Sequence, residues 1–149
     1  MKWLADFVDV SDIDIKDYCD RMTDTGSKVE GYEILGEDIE NIINKARAYN
    51  AEAAKRILIK GKAVLSADAA KILASNNILL YGNESQTVGP ENAPMEVHKI
   101  LLGADVVLLE GIRLAEVPEG VYLLNSAPLN LSGAEGSPCR AVLIDVVDR

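Results

Sequence analysis

The chain has 149 residues, 48% hydrophobic and 26% charged, which is the length and balance of one globular domain or of one domain with an appendage. A net charge of -9 and a pI near 4.6 exclude nonspecific nucleic-acid binding and an anionic membrane surface as functions, since both need clustered Lys and Arg. The acid is uneven: residues 1–45 hold 12 Asp and Glu against 5 Lys and Arg, whereas residues 46–149 hold 12 against 10, a break that divides the chain into two segments.

In chain order, Trp3, Leu4, Phe7 and Val8 recur at helical spacing and predict a short first helix. Ser11 or Asp12 caps a second, running through Ile15, Tyr18, Cys19 and Met22 to Gly26. Lys28 to Leu35 alternates as a weak strand, and Gly36 ends it. From Glu37 to about Lys55 the apolar positions Ile39, Ile42, Ile43, Ala46, Tyr49 and Ala53 are helical.

The second segment alternates strands and helices. Arg56–Ile59 reads as a strand, Ser66 caps a helix carrying Ala69, Ala70, Ile72 and Leu73, and Ile78–Tyr81 is a buried-type strand ending at Gly82. Pro94 opens a further helix with Val97, Ile100 and Leu101 on one side, stopped by Gly103. Val106–Leu109, Val121–Leu124 and Ala141–Val147 supply three more strands, separated by glycines and prolines. The class is mixed α/β.

Two cysteines, Cys19 and Cys139, lie far apart and outside any CxxC pattern. With no signal-peptide pattern at the N-terminus, free thiols in a reducing cytoplasm are expected. No apolar run approaches the length of a membrane span. There is no GxGxxG, phosphate loop, GxSxG elbow, HExxH or paired-CxxC zinc pattern.

His98 is the only histidine, which excludes any site needing two imidazoles from one chain. Read alone it is a helical histidine, structural or facing solvent. Glu110 closes the apolar run Val106 to Leu109, where a carboxylate needs a partner or a cation; the alternative is a strand-end Glu facing solvent or pairing with Arg113. Glu84 and Ser85 follow a strand, a position favoured for sites in α/β proteins, although the stretch from Asn83 to Pro90 also reads as an exposed loop. Helix, turn and strand bring His98 and Glu110 to one end of a sheet. Imidazole with carboxylate suits zinc or manganese, but two ligands are too few for a stable site.

The stretches Gly82-Asn-Glu-Ser-Gln-Thr-Val-Gly-Pro90, Ala93-Pro-Met-Glu-Val-His98-Lys-Ile-Leu-Leu-Gly103, Val107-Leu-Leu-Glu110-Gly111 and Val117-Pro-Glu-Gly-Val-Tyr122 resemble the cyclase family, to which bacterial kynurenine formamidase belongs. The ending Ala127-Pro-Leu-Asn-Leu-Ser-Gly-Ala-Glu-Gly-Ser-Pro-Cys-Arg-Ala141 is similar to that family's terminal PL-x-L-x-G-x-DGSP-x-RA pattern. The resemblance covers roughly Ala46–Val147. It implies a cyclase-like β/α domain over 46–149, reduced by loss of its N-terminal half, behind a short helical appendage over 1–45. It further implies metal-dependent hydrolysis of a small amide such as a formamide, with zinc or manganese, His98 as ligand or acid/base, Glu110 as ligand, and Glu84 and Ser85 lining the pocket. The family's upstream HxGTHxDxP ligands have no match here, and Glu84 stands where many members have Asp. Residues Met1–Ile42, through Met1-Lys-Trp-Leu-Ala-Asp-Phe-Val-Asp and Asp20-Arg-Met-Thr-Asp-Thr-Gly-Ser-Lys-Val-Glu-Gly-Tyr-Glu33, resemble instead the start of the bacterial phenylalanyl-tRNA synthetase β subunit.

Three readings follow. The chain is a metal hydrolase domain with an incomplete site, or a non-catalytic oligomerising or binding module on the same fold, or a synthetase accessory fragment. A reduced sheet leaves apolar edge and face exposed, so a homo-oligomer is expected, with the first forty-odd residues as a further candidate cover.

Overall fold

The computed structural model describes residues 33–36, 38–90 and 93–145. The two helices expected before Gly26, the synthetase-like stretch up to Tyr32 and the end of the last strand lie outside them. Strand β1 (Glu33–Leu35) leads to helix α1 (Ile39–Tyr49), a 3-10 turn (Ala53–Lys55) and strand β2 (Arg56–Ile59). Then come β3 (Ala63–Leu65), α2 (Ala67–Ser75), β4 (Leu80–Asn83), α3 (Pro94–Gly103) and β5 (Val107–Leu109), and finally β6 (Tyr122–Asn125) and β7 (Val142–Asp145). No helix among the described residues is long and apolar enough to cross a membrane.

Each helix has a local cause. In α1, Ile39 and Ile43 stand one turn apart and are buried together. Ser66 caps α2 by accepting from the Ala69 amide at 3.1 Å. Pro94 occupies the first turn of α3, where its missing N–H costs nothing.

Both α2 and α3 end in the same way. After α2, Asn77 turns left-handed (φ 55°), its amide reaching Ala74 and that of Ile78 reaching Leu73. After α3, Asp105 does so (φ 58°), with Asp105 bonded to Leu102 and Val106 to Leu101. Each is a Schellman ending, with a buried pair, Ile78 with Leu73 and Val106 with Leu101, at the positions where the motif brings apolar side chains together. Helix α3 ends at Gly103 as expected, and the left-handed residue that turns the chain out of it is Asp105, an aspartate whose short polar side chain tolerates that conformation.

Three parallel strands form the central sheet in the order β2-β4-β5, with Ile57, Tyr81 and Leu108 in register across it and Leu58, Gly82 and Leu109 in the next row. Alternation sends these rows to opposite faces. The first joins the main core with Ile39, Ile43, Leu73, Val97 and Leu101, so the helices cover one face. The second meets Ile112, Leu114, Leu124 and Leu143 on the other. Gly82 is required by that second row: a Cβ there would sit 2.7 Å from Leu58 Cδ2 and 3.1 Å from the Leu109 carbonyl oxygen.

Strand β3, not expected from the sequence, pairs in parallel with β1 and is buried along its length. Only three residues long between Gly61 (φ 90°) and the Ser66 cap, it is too short to show a period. Helix α1 runs across the residue 45/46 charge break, and Leu35, Ile39 and Ile43 share one core with Ile57 and Leu65.

Tyr81 is fully buried and its hydroxyl has no hydrogen-bond partner among the described residues, and burial pushes its ionisation far above the ordinary tyrosine range. An unsatisfied buried hydroxyl costs on the order of 1 kcal/mol or more. Tyr81→Phe is therefore expected to hold or raise the urea midpoint, and a clear loss of stability would show that the hydroxyl is satisfied.

Candidate functional site

The site is assembled where β4, β5 and the start of α3 converge. Beyond β4 the chain turns back on itself. Asn83, fully buried, donates through Nδ2 to the carbonyls of Ala63 (2.7 Å) and Thr87 (3.2 Å), which fixes the loop that follows. The Val88 carbonyl in turn receives the Leu65 amide at 2.7 Å. Past β5, Gly111 turns left-handed (φ 68°), and the amides of Gly111 and Ile112 bond to the carbonyls of Ser85 and Asn83. The two segments, 83–88 and 110–112, are thus tied together through backbone.

This framework presents His98 and Glu110 to each other. His98 Nδ1 lies 2.7 Å from the Pro94 carbonyl oxygen, which can only accept, so Nδ1 carries a hydrogen. Nε2 then faces Glu110 Oε1 at 3.1 Å, while the same oxygen accepts the Val88 amide at 2.9 Å. A neutral ring would point its Nε2 lone pair at a carboxylate lone pair. The contact is favourable only with a proton or a cation between the two. Both side chains are about one-third exposed, so the position is open to solvent.

Glu84 does different work. Its oxygens accept the Gly61 amide (2.5 Å) and the Leu114 amide (2.7 Å), joining the β2–β3 turn to the loop after β5. Partial burial pushes its carboxyl up, but these two bonds, with the charges of Lys60 and Arg113, outweigh burial and hold it below the ordinary glutamate value. A depressed folded value contributes stability that is present above the ordinary value of 4.5 and is lost as pH falls through the lower folded one. Glu84→Gln breaks one of the two bonds and should cost about 1 kcal/mol at pH 7. Stability curves of variant and parent should converge in that acid window; parallel curves would remove Glu84 from this role.

Ser85 offers its carbonyl to Gly111, and its hydroxyl is buried without a partner among the described residues. A groove of about 900 Å³ opens on the sheet face opposite the helices, between that face and the β6–β7 hairpin. Its wall includes Leu58, Leu109, Glu110, Arg113, Cys139 and Leu143, whereas Glu84 and Ser85 are not among the lining residues. Sequence reasoning passed over Asn83, Val88 and Pro94. Asn83 alone carried a signal, an amide within an otherwise apolar buried run.

His98 and Glu110 would be the donors for a metal, and their lone pairs converge as a divalent ion requires. Two donors fall short of the three protein ligands usual at a catalytic zinc. Among the described residues no group of three or more His, Cys, Asp or Glu side chains is arranged to hold an ion.

No protein-family model matches the chain. It is 35% identical over 85 residues to a kynurenine formamidase of Erythrobacter litoralis (strain HTCC2594), the alignment taking in 56% of this chain and 39% of that protein. It is 39% identical over 79 residues to Cyclase-like protein 3 of Oryza sativa subsp. japonica, covering 52% and 29%. Among solved structures, a potential metal-dependent hydrolase with cyclase activity superposes with a TM-score of 0.52 at 36% identity, over 54% of this chain and 40% of that one. An isatin hydrolase bound to the product analogue thioisatinate shares the fold at 18% identity, with a TM-score of 0.50 and coverage of 74% and 57%. The chain spans about two-fifths or less of the length of the curated relatives it matches. The α/β architecture, a parallel sheet with helices, is that of cyclase-like metal-dependent hydrolases.

Proposed function

We propose that the chain contributes part of a divalent-cation site of cyclase type, in a hydrolase acting on a small amide such as a formamide. The observation that carries this reading is the pairing of His98 Nε2 with Glu110 Oε1 at 3.1 Å while Nδ1 is held by Pro94. Supporting it are the sequence similarity to kynurenine formamidases and the likeness to a metal-dependent hydrolase structure.

In this reading His98 offers Nε2 as a neutral donor, because its other nitrogen is committed to a backbone carbonyl that fixes the ring. Glu110 offers the negative charge, its oxygen oriented by the Val88 amide. A bound divalent ion would supply activated water and polarise the amide carbonyl. The ligand set is completed from outside the described residues, by zinc or manganese donors on another chain or segment. A homo-oligomer and a cytoplasmic setting belong to the same reading.

A second reading is a non-catalytic binding or oligomerising module on this fold. What favours it is the absence of a third ligating side chain among the described residues. A synthetase-related role rests on the N-terminal segment alone, and the net charge of -9 opposes tRNA binding.

The deciding measurement is metal content of the purified chain by elemental analysis after dialysis against zinc or manganese, beside His98→Ala. Near-stoichiometric metal that falls at least tenfold in the variant supports the cation site, and formamide hydrolysis is then the assay to run. Metal-free protein, or metal that survives His98→Ala, sinks the hydrolase reading in favour of the binding module.

A further inference from the structure

The sheet face opposite the helices carries a second apolar cluster with room left in it. Leu109, Ile112 and Leu114 are buried there, while five further side chains, Leu58 and Leu143 among them, pack against these three only partly buried. In the main core the proportion is reversed, with fifteen buried side chains and five partly buried ones. The room is the groove of about 900 Å³ between this face and the β6–β7 hairpin, a volume that suits a small-molecule ligand.

Wall chemistry and charge set the guest. The apolar lining is made of Leu, Ile, Val, Ala and Pro, with no Phe, Tyr or Trp on which a flat ring could stack, so it suits an aliphatic body. The charged side chains that line the groove are Glu110, Arg113 and Arg140, a net of +1 on a chain that carries -9. Both arginines are exposed, and neither forms an ion pair or hydrogen bond among the described residues. Beside the wall, Lys60 donates to the Val117 carbonyl at 3.2 Å and lies within the electrostatic reach of Glu84, so these two charges balance. Glu84 also feels Arg113 through space, but its oxygens are committed to the amides of Gly61 and Leu114. Glu116, Glu135 and Asp145, on neighbouring segments, do not line the groove. A single negative charge therefore neutralises the lining, and a guanidinium fork matches the two oxygens of a carboxylate.

We propose that the groove is a binding site for an aliphatic monocarboxylate, its chain on the leucine walls and its carboxylate held by Arg113 and Arg140. Neither arginine takes part in the cation site proposed above, and Glu110 enters here only through its charge.

The test is titration calorimetry of the full chain with decanoate, below its micelle concentration, beside decanamide, which has the same body without the charge. The expected result is one decanoate per chain, bound at least tenfold tighter than decanamide, with octanoate roughly tenfold weaker than decanoate. Arg113→Gln and Arg140→Gln should each weaken decanoate about fivefold, leave decanamide unchanged and keep the parent's circular dichroism and metal content. Metal content thus separates failure of this site from failure of the cation site. A parent that does not bind decanoate overturns the proposal, as do equal affinities for acid and amide or arginine variants that bind like the parent. Should the variants fail to fold, methyl NMR of the parent decides: decanoate should shift Leu58, Leu124 and Leu143 and leave Leu102, exposed on α3, in place. Unshifted groove leucines overturn it.

Discussion

Gly89→Ala is expected to destabilise the chain by about 1–3 kcal/mol and to loosen the His98–Glu110 pair in the same stroke. A Cβ at Gly89 would lie 2.9 Å from both Pro94 Cα and the Pro94 carbonyl oxygen, and 3.2 Å from Val97 Cβ. Two of these neighbours are backbone and cannot swing aside. Either the loop retreats or the first turn of α3 moves. Retreat of the loop pulls on Val88, whose amide orients Glu110 and whose carbonyl anchors Leu65. Movement of α3 displaces the carbonyl that fixes His98 Nδ1. The loss therefore reaches the site by either route. Urea denaturation reads the first effect, and the Nδ1–H imidazole signature in NMR reads the second. A variant with the parent midpoint and an unchanged His98 signal would show that the close approach is absent in solution.

The second large effect is Leu73→Ala, expected to cost about 2–5 kcal/mol. Leu73 is fully buried on α2, within the core that holds Ile39, Ile43, Tyr81 and Leu101, and its carbonyl closes the helix by receiving the Ile78 amide. Truncation leaves a cavity bounded by α1, α3 and the central sheet, which cannot collapse without shifting α1 or α3. A domain of this size is stable by only about 5–15 kcal/mol, so the loss takes a large share of the total. Leu102→Ala, at a position 56% exposed on α3, should change stability by less than about 0.5 kcal/mol. Equal losses in the two variants would place the core elsewhere.

Local chemistry accounts for what was legible in the sequence. The periods of α1, α2 and α3, the Ser66 cap and Pro94 in the first turn are decided within a few residues, and the structure follows them, except that α1 ends at Tyr49 instead of running on to Lys55 and Ala53 falls in a separate 3-10 turn. The mixed α/β class follows from alternating apolar runs and helical periods, and His98 and Glu110 were singled out by a lone histidine, a carboxylate ending an apolar run, and the resemblance that joined them. The end of α3 at Gly103 and the left-handed turn at Asp105 are likewise local events.

The rest was decided by contacts between residues far apart in the chain, which leave no period to read. Strand β3 exists because β1 pairs with it, and the order β2-β4-β5 is fixed by packing across the sheet. Glu84 bonds backbone 23 residues before it and 30 after, ties that no local pattern shows. His98 acquires its tautomer from the Pro94 carbonyl one turn back, yet the role of its second nitrogen depends on Glu110, itself oriented by an amide 22 residues away. The sequence by itself determined most of the elements and marked His98 and Glu110 as the candidate pair. Only the tertiary structure decided that their lone pairs meet, because a hydrogen-bond donor buried by folding bonds whatever acceptor the fold brings to it, however distant in the chain.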